Sequence, residues 1–181
     1  MEIQKFDIEG PLLITLKTFY DNRGFFVERF NEARFKDHGL PTKFVQDNFS
    51  KSSYGVVRGL HFQHSPPQGK LVSCTHGEIF DVALDVRKNS PTFGKHISVN
   101  LNGDTPRLLW IPAGFAHGFC VLSKEGADVM YKVDSLWNGA GEGCILWNDP
   151  EIGIKWPIDT PLLSPKDLVG LPFKESSALF R

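Results

Sequence analysis

The chain has 181 residues, which suits one domain, and 41% of them are hydrophobic, enough for a buried core. The formal net charge of −1 argues against a nucleic-acid or membrane surface, although a local group of Arg and Lys could still bind a small anion. The N-terminus carries charges where a signal peptide needs an apolar core, and no apolar run reaches the roughly 18 residues of a membrane span. We therefore expect a single domain, residues 1–181, in the cytoplasm.

Strand signals follow one another along most of the chain. Short segments rich in β-branched and aromatic residues predict strands at Leu12–Leu16, Val56–Phe62, Lys70–Cys74, Glu78–Val86, Ile97–Leu101, Leu108–Ile111, Gly118–Leu122 and Asp128–Val133. Turn residues such as Gly, Pro and Asn separate these segments. The spacing indicates an all-β protein built as an antiparallel sandwich or barrel.

Helical signal is sparse. Asn31–His38 begins with an N-cap residue and ends before a glycine, which predicts one short helix. Ser164–Asp167 is typical of a capped turn that opens another helix. The last dozen residues are predicted to form a loosely ordered tail. The three cysteines Cys74, Cys120 and Cys144 have apolar neighbours and are predicted to be buried thiols, in keeping with a reducing compartment.

The most informative run is Arg58–Gln63, which is followed by Gln68–Val72. His61 and Gln63 lie two apart on one predicted strand and therefore share a face. Arg58 falls on the other face of a regular strand, unless the intervening glycine marks a β-bulge. The alternative is that Arg58 serves a different surface, such as a dimer interface. A lone histidine is more often a core residue, but polar residues recur on the neighbouring strands.

One of those neighbouring strands carries two carboxylates, Asp81 and Asp85, on the same face. If this face looks into a barrel, the carboxylates need partners, because an unpaired buried charge is costly. The candidate partners are His61, Lys70 and His117. The alternative is a solvated outer face.

Tyr131 and Trp137 fall on one face if the chain between them is extended. They would then lie about 20 Å apart, from roughly 3.3 Å per residue. This separation suits a long, thin ligand with a reactive end and a flat aromatic end, the shape of a nucleotide-diphosphate sugar. The alternative is that both are ordinary barrel aromatics. Nearby arginines and lysines could neutralise a diphosphate, for which the arginine fork is well suited.

Taken together, these segments resemble the dTDP-4-dehydrorhamnose 3,5-epimerase family over roughly residues 3–167. The resemblance is carried by Arg58–Gln63, Gln68–Val72, Gly77–Arg87, Ser90–Gly94, Ile111–Phe119, Trp147–Pro150, Ile154–Pro157 and Leu163–Asp167. It implies a cupin-like double-stranded antiparallel β-barrel, or jelly roll, with a few short peripheral helices. It also implies a homodimer without metal or organic cofactor, acting on a dTDP-4-keto-6-deoxyhexose on the route to dTDP-L-rhamnose.

The resemblance further implies roles for individual residues. His61 would be the general base, paired with Asp167, Tyr131 the acid on the opposite face, and Lys70 the group that stabilises the enolate oxygen. Trp137 would stack on thymine, where relatives often carry Tyr. The other expected nucleotide or sugar contacts are Arg23, Glu28, Gln46, Asn48, Arg58, His117, Glu142 and Lys166. One departure is Ser73, where relatives often carry Arg.

These residue types suit the implied reaction. A ketone at C4 acidifies the hydrogens at C3 and C5, and an imidazole, with an unperturbed pKa of about 6.5, can remove such a proton at neutral pH. A paired carboxylate orients the imidazole, and a preplaced cation stabilises the enolate. Inversion requires a proton from the other face, hence a separate acid.

Three other functions compete with this interpretation. A metal-dependent cupin would carry His-x-His and an acidic ligand, whereas this chain has Gln63 and, near the acidic position, Lys70. A non-catalytic sugar-nucleotide binding module would not need the full set of acid, base and lysine. An epimerase acting at C3 alone or C5 alone, or on a related 4-keto sugar, is not distinguished by the sequence.

Overall fold

Strands dominate the computed structural model, which describes residues 1–176. The strands are β1 Glu2–Lys5, β2 Leu12–Thr15, β3 Thr18–Asp21, β4 Gly24–Val27, β5 Gln46–Ser52, β6 Val57–Gln63, β7 Lys70–His76, β8 Glu78–Asp85, β9 His96–Asn102, β10 Arg107–Ile111, β11 Phe115–Val121, β12 Ala127–Val133 and β13 Glu142–Cys144. The helices are α1 Glu32–Asp37, α2 Pro165–Leu168 and α3 Phe173–Ser176, with a 3₁₀ turn at Gly139–Gly141. No helix in the described part of the chain is long and apolar enough to cross a membrane.

The strands form two main antiparallel sheets and a separate hairpin. One sheet has the order β1-β2-β10-β7-β12-β5, and the other has the order β13-β6-β11-β8-β9. The hairpin pairs β3 with β4. The predicted all-β, cupin-like jelly roll with a few short helices is therefore confirmed.

The eight predicted strands are all present, with bounds that differ by up to three residues at either end. The sequence did not predict β1, the β3–β4 hairpin, β5 or β13. In β5 the side chains alternate between exposed and half-buried, and most of them are polar, so the segment lacks the apolar run of a central strand. The predicted helix near Asn31 is confirmed, since the Asn31 side chain accepts a hydrogen bond from the Arg34 amide as the N-cap of α1.

Apolar side chains fill three layers. The space between the sheets holds residues such as Val72, Leu109 and Phe119. The outer face of the five-stranded sheet, including Leu60, is covered by segments that follow β13. The outer face of the six-stranded sheet is covered by α1, whose Phe35 is 1% exposed. Because both outer faces are covered, polar side chains that face inward are held in a desolvated interior.

The segment Phe173–Ser176, within the predicted tail, forms the helix α3. Phe173 and Ser176 of α3 are buried, and Phe173 packs in the layer outside the five-stranded sheet. The prediction of a loose tail is therefore wrong for this segment. Phe173 holds it in place by covering the apolar outer face of the five-stranded sheet. Residues 177–181 of the predicted tail lie outside the described residues.

A buried carboxylate, Asp85, ties the end of β8 to the following loop. Arg87 donates to it through Nε and Nη2 at 2.9 and 2.8 Å, and the hydroxyls of Ser90 and Thr92 donate at 2.6 and 2.7 Å. Burial alone raises the pKa of Asp85, but the hydrogen bonds from Arg87, Ser90 and Thr92 outweigh burial and lower this pKa to about 2. The carboxylate is thus stabilised in its charged form.

This carboxylate predicts an acid-dependent loss of stability. Its pKa is lower in the folded than in the unfolded chain, so its contribution is complete above about pH 4 and is lost as the pH falls towards 2. We expect Asp85→Asn to lower the free energy of unfolding at pH 7 by about 3 kcal/mol, as when one partner of a buried ion pair is removed. Urea unfolding from pH 2 to 7 measures both effects. The exposed Asp104→Asn should change stability by less than about 0.5 kcal/mol; equal effects of the two variants would contradict the assignment.

Candidate active site

Three side chains of the five-stranded sheet point into the space between the sheets beside each other. His61 on β6 pairs in register with His117 on β11 and with Cys144 on β13. Residues directly opposite each other in an antiparallel sheet project from the same face. The neighbours Leu60 and Phe62 belong to the outer apolar layer, which fixes His61 on the inner face.

Asp167 binds the His61 imidazole. Its Oδ1 lies 2.7 Å from His61 Nε2 and accepts the Gly59 amide at 3.2 Å, while its Oδ2 accepts the Ser164 hydroxyl at 2.6 Å. Ser164 also caps α2 by accepting the Asp167 amide. The predicted capped turn therefore places Asp167, which is 2% exposed, against β6.

The protonation of this pair follows from the carboxylate. Burial raises the pKa of Asp167, but the hydrogen bonds from His61 and Ser164 outweigh burial and bring this pKa to about 2. Asp167 is therefore a carboxylate at neutral pH and can only accept hydrogen bonds. In a neutral His61 ring the proton consequently lies on Nε2, and Nδ1 keeps the lone pair that can accept a proton.

The odd spacing of Arg58 is explained by a β-bulge. His117 pairs with His61, whereas Phe119, two residues further along β11, pairs with Arg58, three residues back along β6. The extra residue returns Arg58 to the inner face, where its Nε donates to Ser52 Oγ at 3.0 Å. Gly59 is required at the bulge, because its φ is +129° and a Cβ there would lie 2.5 Å from Gly118 Cα.

Lys70 reaches into the same space from the six-stranded sheet. It lies on β7 beside Val133 of β12, is 8% exposed, and donates from Nζ to the His61 carbonyl at 3.2 Å. Burial lowers the pKa of this amine to about 8, against the opposing effects of Glu142 and Asp81. Lys70 is thus a desolvated cation at neutral pH and lies beside the His61 backbone.

Tyr131 faces the interior from the opposite sheet to His61. It lies on β12 between Asn48 of β5 and Val72 of β7, and it packs against the apolar layer between the sheets. Burial and the negative charge of Glu142 raise the pKa of its phenol, so the hydroxyl keeps its proton at neutral pH. One sheet therefore supplies a proton acceptor, and the other supplies a proton donor.

Asp81 resolves the question of which way the two carboxylates of β8 face. It is fully buried on the inner face and lies with both oxygens 3.0 Å from His117 Nε2. This confirms the expectation that an inward carboxylate has a partner, and His117 was one of the predicted partners. Asp85 differs, since Arg87, Ser90 and Thr92 satisfy it instead of the predicted partners.

A chain of polar contacts connects five of the predicted contact residues. Gln46 donates to Asn48 at 2.9 Å and accepts the Trp137 amide at 3.1 Å. The Trp137 indole donates to Glu142 at 3.3 Å, and Glu142 forms an ion pair with Lys166 at 2.7 Å. Trp137 itself is 63% exposed, so its ring face is available to a ligand.

The chain from Tyr131 to Trp137 is not extended, so the condition for their lying on one strand face is not met. Strand β12 ends at Val133, and the chain bends at residues 134 and 135 before it reaches Trp137. The bend arises because Asp134 and Ser135 turn back to bind the segment before β7: Asp134 accepts the Gly69 amide at 2.7 Å. The separation of about 20 Å, calculated for an extended chain, therefore does not apply.

Comparison with known proteins identifies the family. The chain matches the family model described as dTDP-4-dehydrorhamnose 3,5-epimerase over residues 5–175. The dTDP-4-dehydrorhamnose 3,5-epimerase of Shigella flexneri is 52% identical over 178 residues, covering 97% of this chain and 98% of that protein. The chain belongs to the dTDP-4-dehydrorhamnose 3,5-epimerase family.

Solved structures of similar proteins agree with the fold. The dTDP-6-deoxy-D-glucose-3,5-epimerase of Legionella pneumophila Philadelphia 1, in complex with dTDP-4-keto-L-rhamnose, has a TM-score of 0.94 at 44% identity and covers 99% of this chain and 96% of that one. A 3′-monoepimerase of Streptomyces bikiniensis, in complex with dTDP-quinovose, has a TM-score of 0.90 at 31% identity and covers 96% and 89%. A 3,5-epimerase and a 3′-monoepimerase therefore share this architecture.

Two of the contacts implied by the epimerase family lie apart from the others. Arg23 lies at the tip of the β3–β4 hairpin with an 84% exposed side chain and forms an ion pair with Asp21 at 2.7 Å. Glu28 binds Arg34 of α1 at 3.2 Å. Within one chain Arg23 therefore pairs inside the hairpin and Glu28 pairs with α1, and neither contacts the His61 group, so their roles stay predictions.

Gln63 stands where a metal-dependent cupin would carry histidine, and Ser73 stands where relatives often carry arginine. The Gln63 amide donates to two backbone carbonyls at 2.8 and 3.1 Å and accepts the Asn138 amide at 2.8 Å, so it holds the segment that carries Trp137. Ser73 lies on the outer face of β7, where it donates to the Met130 carbonyl and binds Arg29. The departure from the arginine of relatives therefore lies outside the inner face.

Some residues of this epimerase site were not predicted. Ser164 orients Asp167, and Ser52 holds Arg58, yet neither was named as a site residue. Ser52 had a usable signal, because Gln46, Asn48 and Ser52 recur at every second or fourth position and so share a strand face. Ser164 had none beyond its role as a helix cap.

Proposed function

We propose that the protein epimerises dTDP-4-dehydro-6-deoxy-D-glucose at C3 and C5 to give dTDP-4-dehydro-L-rhamnose, in dTDP-L-rhamnose biosynthesis. The observation that supports this most directly is the placement of His61 and Tyr131 on opposite sheets, both facing the interior. Inversion of a carbon needs proton removal on one face and proton delivery on the other, and the two sheets supply one group each. Family membership supports the substrate class.

The first step is removal of a proton from the carbon next to the ketone. His61 Nδ1 takes the proton, the electron pair of the C–H bond forms a double bond to C4, and the π pair of the C4 carbonyl moves onto its oxygen to give the enolate. Asp167 stabilises the resulting imidazolium. Lys70 places its positive charge near the enolate oxygen, where the desolvated interior strengthens the attraction. No electron is lost or gained overall, so this step needs no redox cofactor, and Lys70 supplies the positive charge beside the enolate oxygen.

The second step restores the ketone with inverted configuration. The enolate collapses, and the carbon takes a proton from the Tyr131 hydroxyl on the opposite face. Tyr131 then holds a negative charge and His61 a positive charge, so both must exchange protons with water before the second carbon reacts. This reset predicts that solvent hydrogen enters the product at every inverted carbon.

The remaining contacts are proposed to hold the nucleotide. Trp137 would stack on thymine, and the polar chain from Asn48 through Gln46 to Trp137 would orient that ring. Arg58 would bind the diphosphate, because a guanidinium fork matches its oxygens. His117, Glu142 and Lys166 would complete the sugar and phosphate contacts beside the base.

The reaction in deuterated water tests the function. Incubation with dTDP-4-keto-6-deoxyglucose should give product that carries one solvent deuterium at C3 and one at C5, read by NMR spectroscopy. Deuterium and inversion at one carbon only would establish a single-site epimerase, which is the second candidate because a 3′-monoepimerase shares the fold. Absence of exchange at both carbons would contradict epimerase activity on this substrate.

A homodimer is also proposed, with the β3–β4 hairpin in its interface. The aromatic side chains of this hairpin, Phe19, Tyr20, Phe25 and Phe26, are 45–68% exposed. An apolar patch of this kind usually marks an interaction surface. A second copy there would also place Arg23 and Glu28 beside another chain, which would explain why neither joins the site of its own chain.

The dimer is tested by placing a charge on the hairpin. We expect Phe26→Asp to raise the dimer dissociation constant at least 10-fold in sedimentation experiments, because a carboxylate would be buried without a partner. Tyr54→Asp, at an exposed aromatic outside the hairpin, is the matched control and should leave the dimer intact. A monomeric wild-type chain at high concentration, or equal effects of both variants, would disprove the proposed interface.

A cytoplasmic location and a single domain over residues 1–181 complete the proposal. Cys74, Cys120 and Cys144 are free thiols, and the first two are buried as predicted, whereas Cys144 is partly exposed. Free thiols are the rule in reducing compartments.

A further inference from the structure

Three metal-ligating side chains from three separate elements meet at the proposed base. His61 lies on β6, Cys144 lies directly opposite it on β13, and Asp167 lies on α2. The ligand atoms that they offer all lie within 4.8 Å of one another. This group differs from a metal-cupin site, which would use the positions occupied by Gln63 and Lys70.

We propose that His61, Cys144 and Asp167 form an inhibitory site for a borderline-soft divalent cation, Zn²⁺ in particular. Imidazole, thiolate and carboxylate are the donor types that Zn²⁺ takes in proteins, and three protein ligands leave the fourth tetrahedral position for water. The ion would act as an inhibitor, not as a cofactor of the reaction. Only the inhibition rests on the proposed function; binding of the ion does not.

The charges around Cys144 favour a cation over a free thiolate. Asp167 offers a carboxylate oxygen close to the His61 and Cys144 ligand atoms. Glu142 lies two residues before Cys144 on β13, but its charge is paired with Lys166 at 2.7 Å, so Asp167 provides the main attraction for the ion. A bound metal ion deprotonates a coordinating thiol, so Cys144 would bind as the thiolate.

Binding requires a small rearrangement. Ligand atoms at about 2.0–2.2 Å from a tetrahedral zinc ion lie about 3.4 Å apart. His61 Nε2 and Asp167 Oδ1 are 2.7 Å apart, so a metal bound by these atoms needs them to separate. Asp167 lies on a four-residue helix, which limits the packing that must move. This cost, together with the charges of Lys70 and Lys166, predicts weaker affinity than in a structural zinc site.

A bound ion would abolish base catalysis whichever nitrogen of His61 it takes. A neutral imidazole has one lone pair and one N–H group. If the lone pair binds the metal, the other nitrogen carries the proton, and no acceptor remains for a hydrogen of the substrate. If the ion takes Nε2, the ring also loses its hydrogen bond to Asp167.

Cobalt spectroscopy on the full-length protein tests the site directly. Titration with Co²⁺ should produce a near-ultraviolet thiolate-to-metal charge-transfer band. Added Zn²⁺ should displace Co²⁺ and so remove the band. Cys144→Ser should abolish the band and raise the Zn²⁺ dissociation constant at least 10-fold, while epimerase turnover without metal stays unchanged. Cys120→Ala is the matched control and should keep the band, because that thiol lies in another part of the sheet.

The assay of turnover then tests inhibition. Zn²⁺ should inhibit the wild-type epimerase and a chelator should restore it, whereas Cys144→Ser should need at least 10-fold more Zn²⁺ for the same loss. No charge-transfer band in the wild type, an unchanged band in Cys144→Ser, or full turnover with the site occupied would each overturn the proposal. A protein that shows the band but no epimerase activity would support the metal site and refute the proposed function, so the two failures are distinguishable.

Discussion

Replacement of His61 with glutamine is expected to lower kcat by about 10³-fold, within the range of about 10²–10⁴ for loss of a general base. Glutamine can place an amide nitrogen near the position of Nε2 and so keep the hydrogen bond to Asp167. It has no group that accepts a proton in place of Nδ1. The structure of the pocket should therefore survive while the chemistry does not.

Two measurements separate this loss of chemistry from loss of binding. The dissociation constant for dTDP, measured by calorimetry, should change less than about threefold, because the nucleotide contacts lie on other side chains. Exchange of the C3 and C5 hydrogens with deuterated water should fall in parallel with kcat. His38→Gln, at the exposed C-cap of α1, is the matched control and should turn over normally. Exchange at the wild-type rate in His61→Gln would mean that another group is the base.

The strands that build the interior could be predicted because they are short runs rich in apolar, β-branched and aromatic residues between turn signals. Val72 and Leu109, for example, belong to apolar runs whose β-branched and aromatic residues favour a strand. The edges could not be predicted in the same way. Strand β5 has polar residues, including Gln46 and Asn48, on its inner face, where a strand normally carries apolar residues. The residues of the site therefore remove the pattern by which a strand is recognised.

The site shows the same division between local and long-range information. That His61 and Gln63 share a strand follows from spacing, but Asp167 is 106 residues away in the chain, and family resemblance alone brought it to His61. Arg58 could be phased only by assuming the bulge at Gly59, which depends on contact with Gly118 of another strand. The bend between Tyr131 and Trp137 could not be predicted, because it depends on the Asp134 carboxylate accepting the Gly69 amide. Each of these features is fixed by a contact between distant segments.

Replacement of Tyr131 with phenylalanine is expected to lower kcat for inversion by about 10²–10³-fold while leaving proton removal largely intact. The phenol is held in its protonated form by burial and by Glu142, so its loss removes a donor and not a charge. His61 lies on the other sheet and keeps its bond to Asp167. The enolate should therefore still form, but only His61 can return a proton to it.

The variant should consequently uncouple exchange from inversion. In deuterated water, Tyr131→Phe should return substrate that carries deuterium with its original configuration, because the base delivers the solvent-derived proton to the face from which it took the first. Tyr54→Phe, at an exposed tyrosine outside the site, should invert and exchange as the wild type does. If exchange and inversion fell together in Tyr131→Phe, the phenol would be needed to form the enolate. That result would exclude a mechanism in which His61 alone removes the proton and Tyr131 only delivers one. If inversion stayed fast, the acid would have to be sought among other donors on the six-stranded sheet, with Lys70 the first to test because its Nζ already lies beside His61.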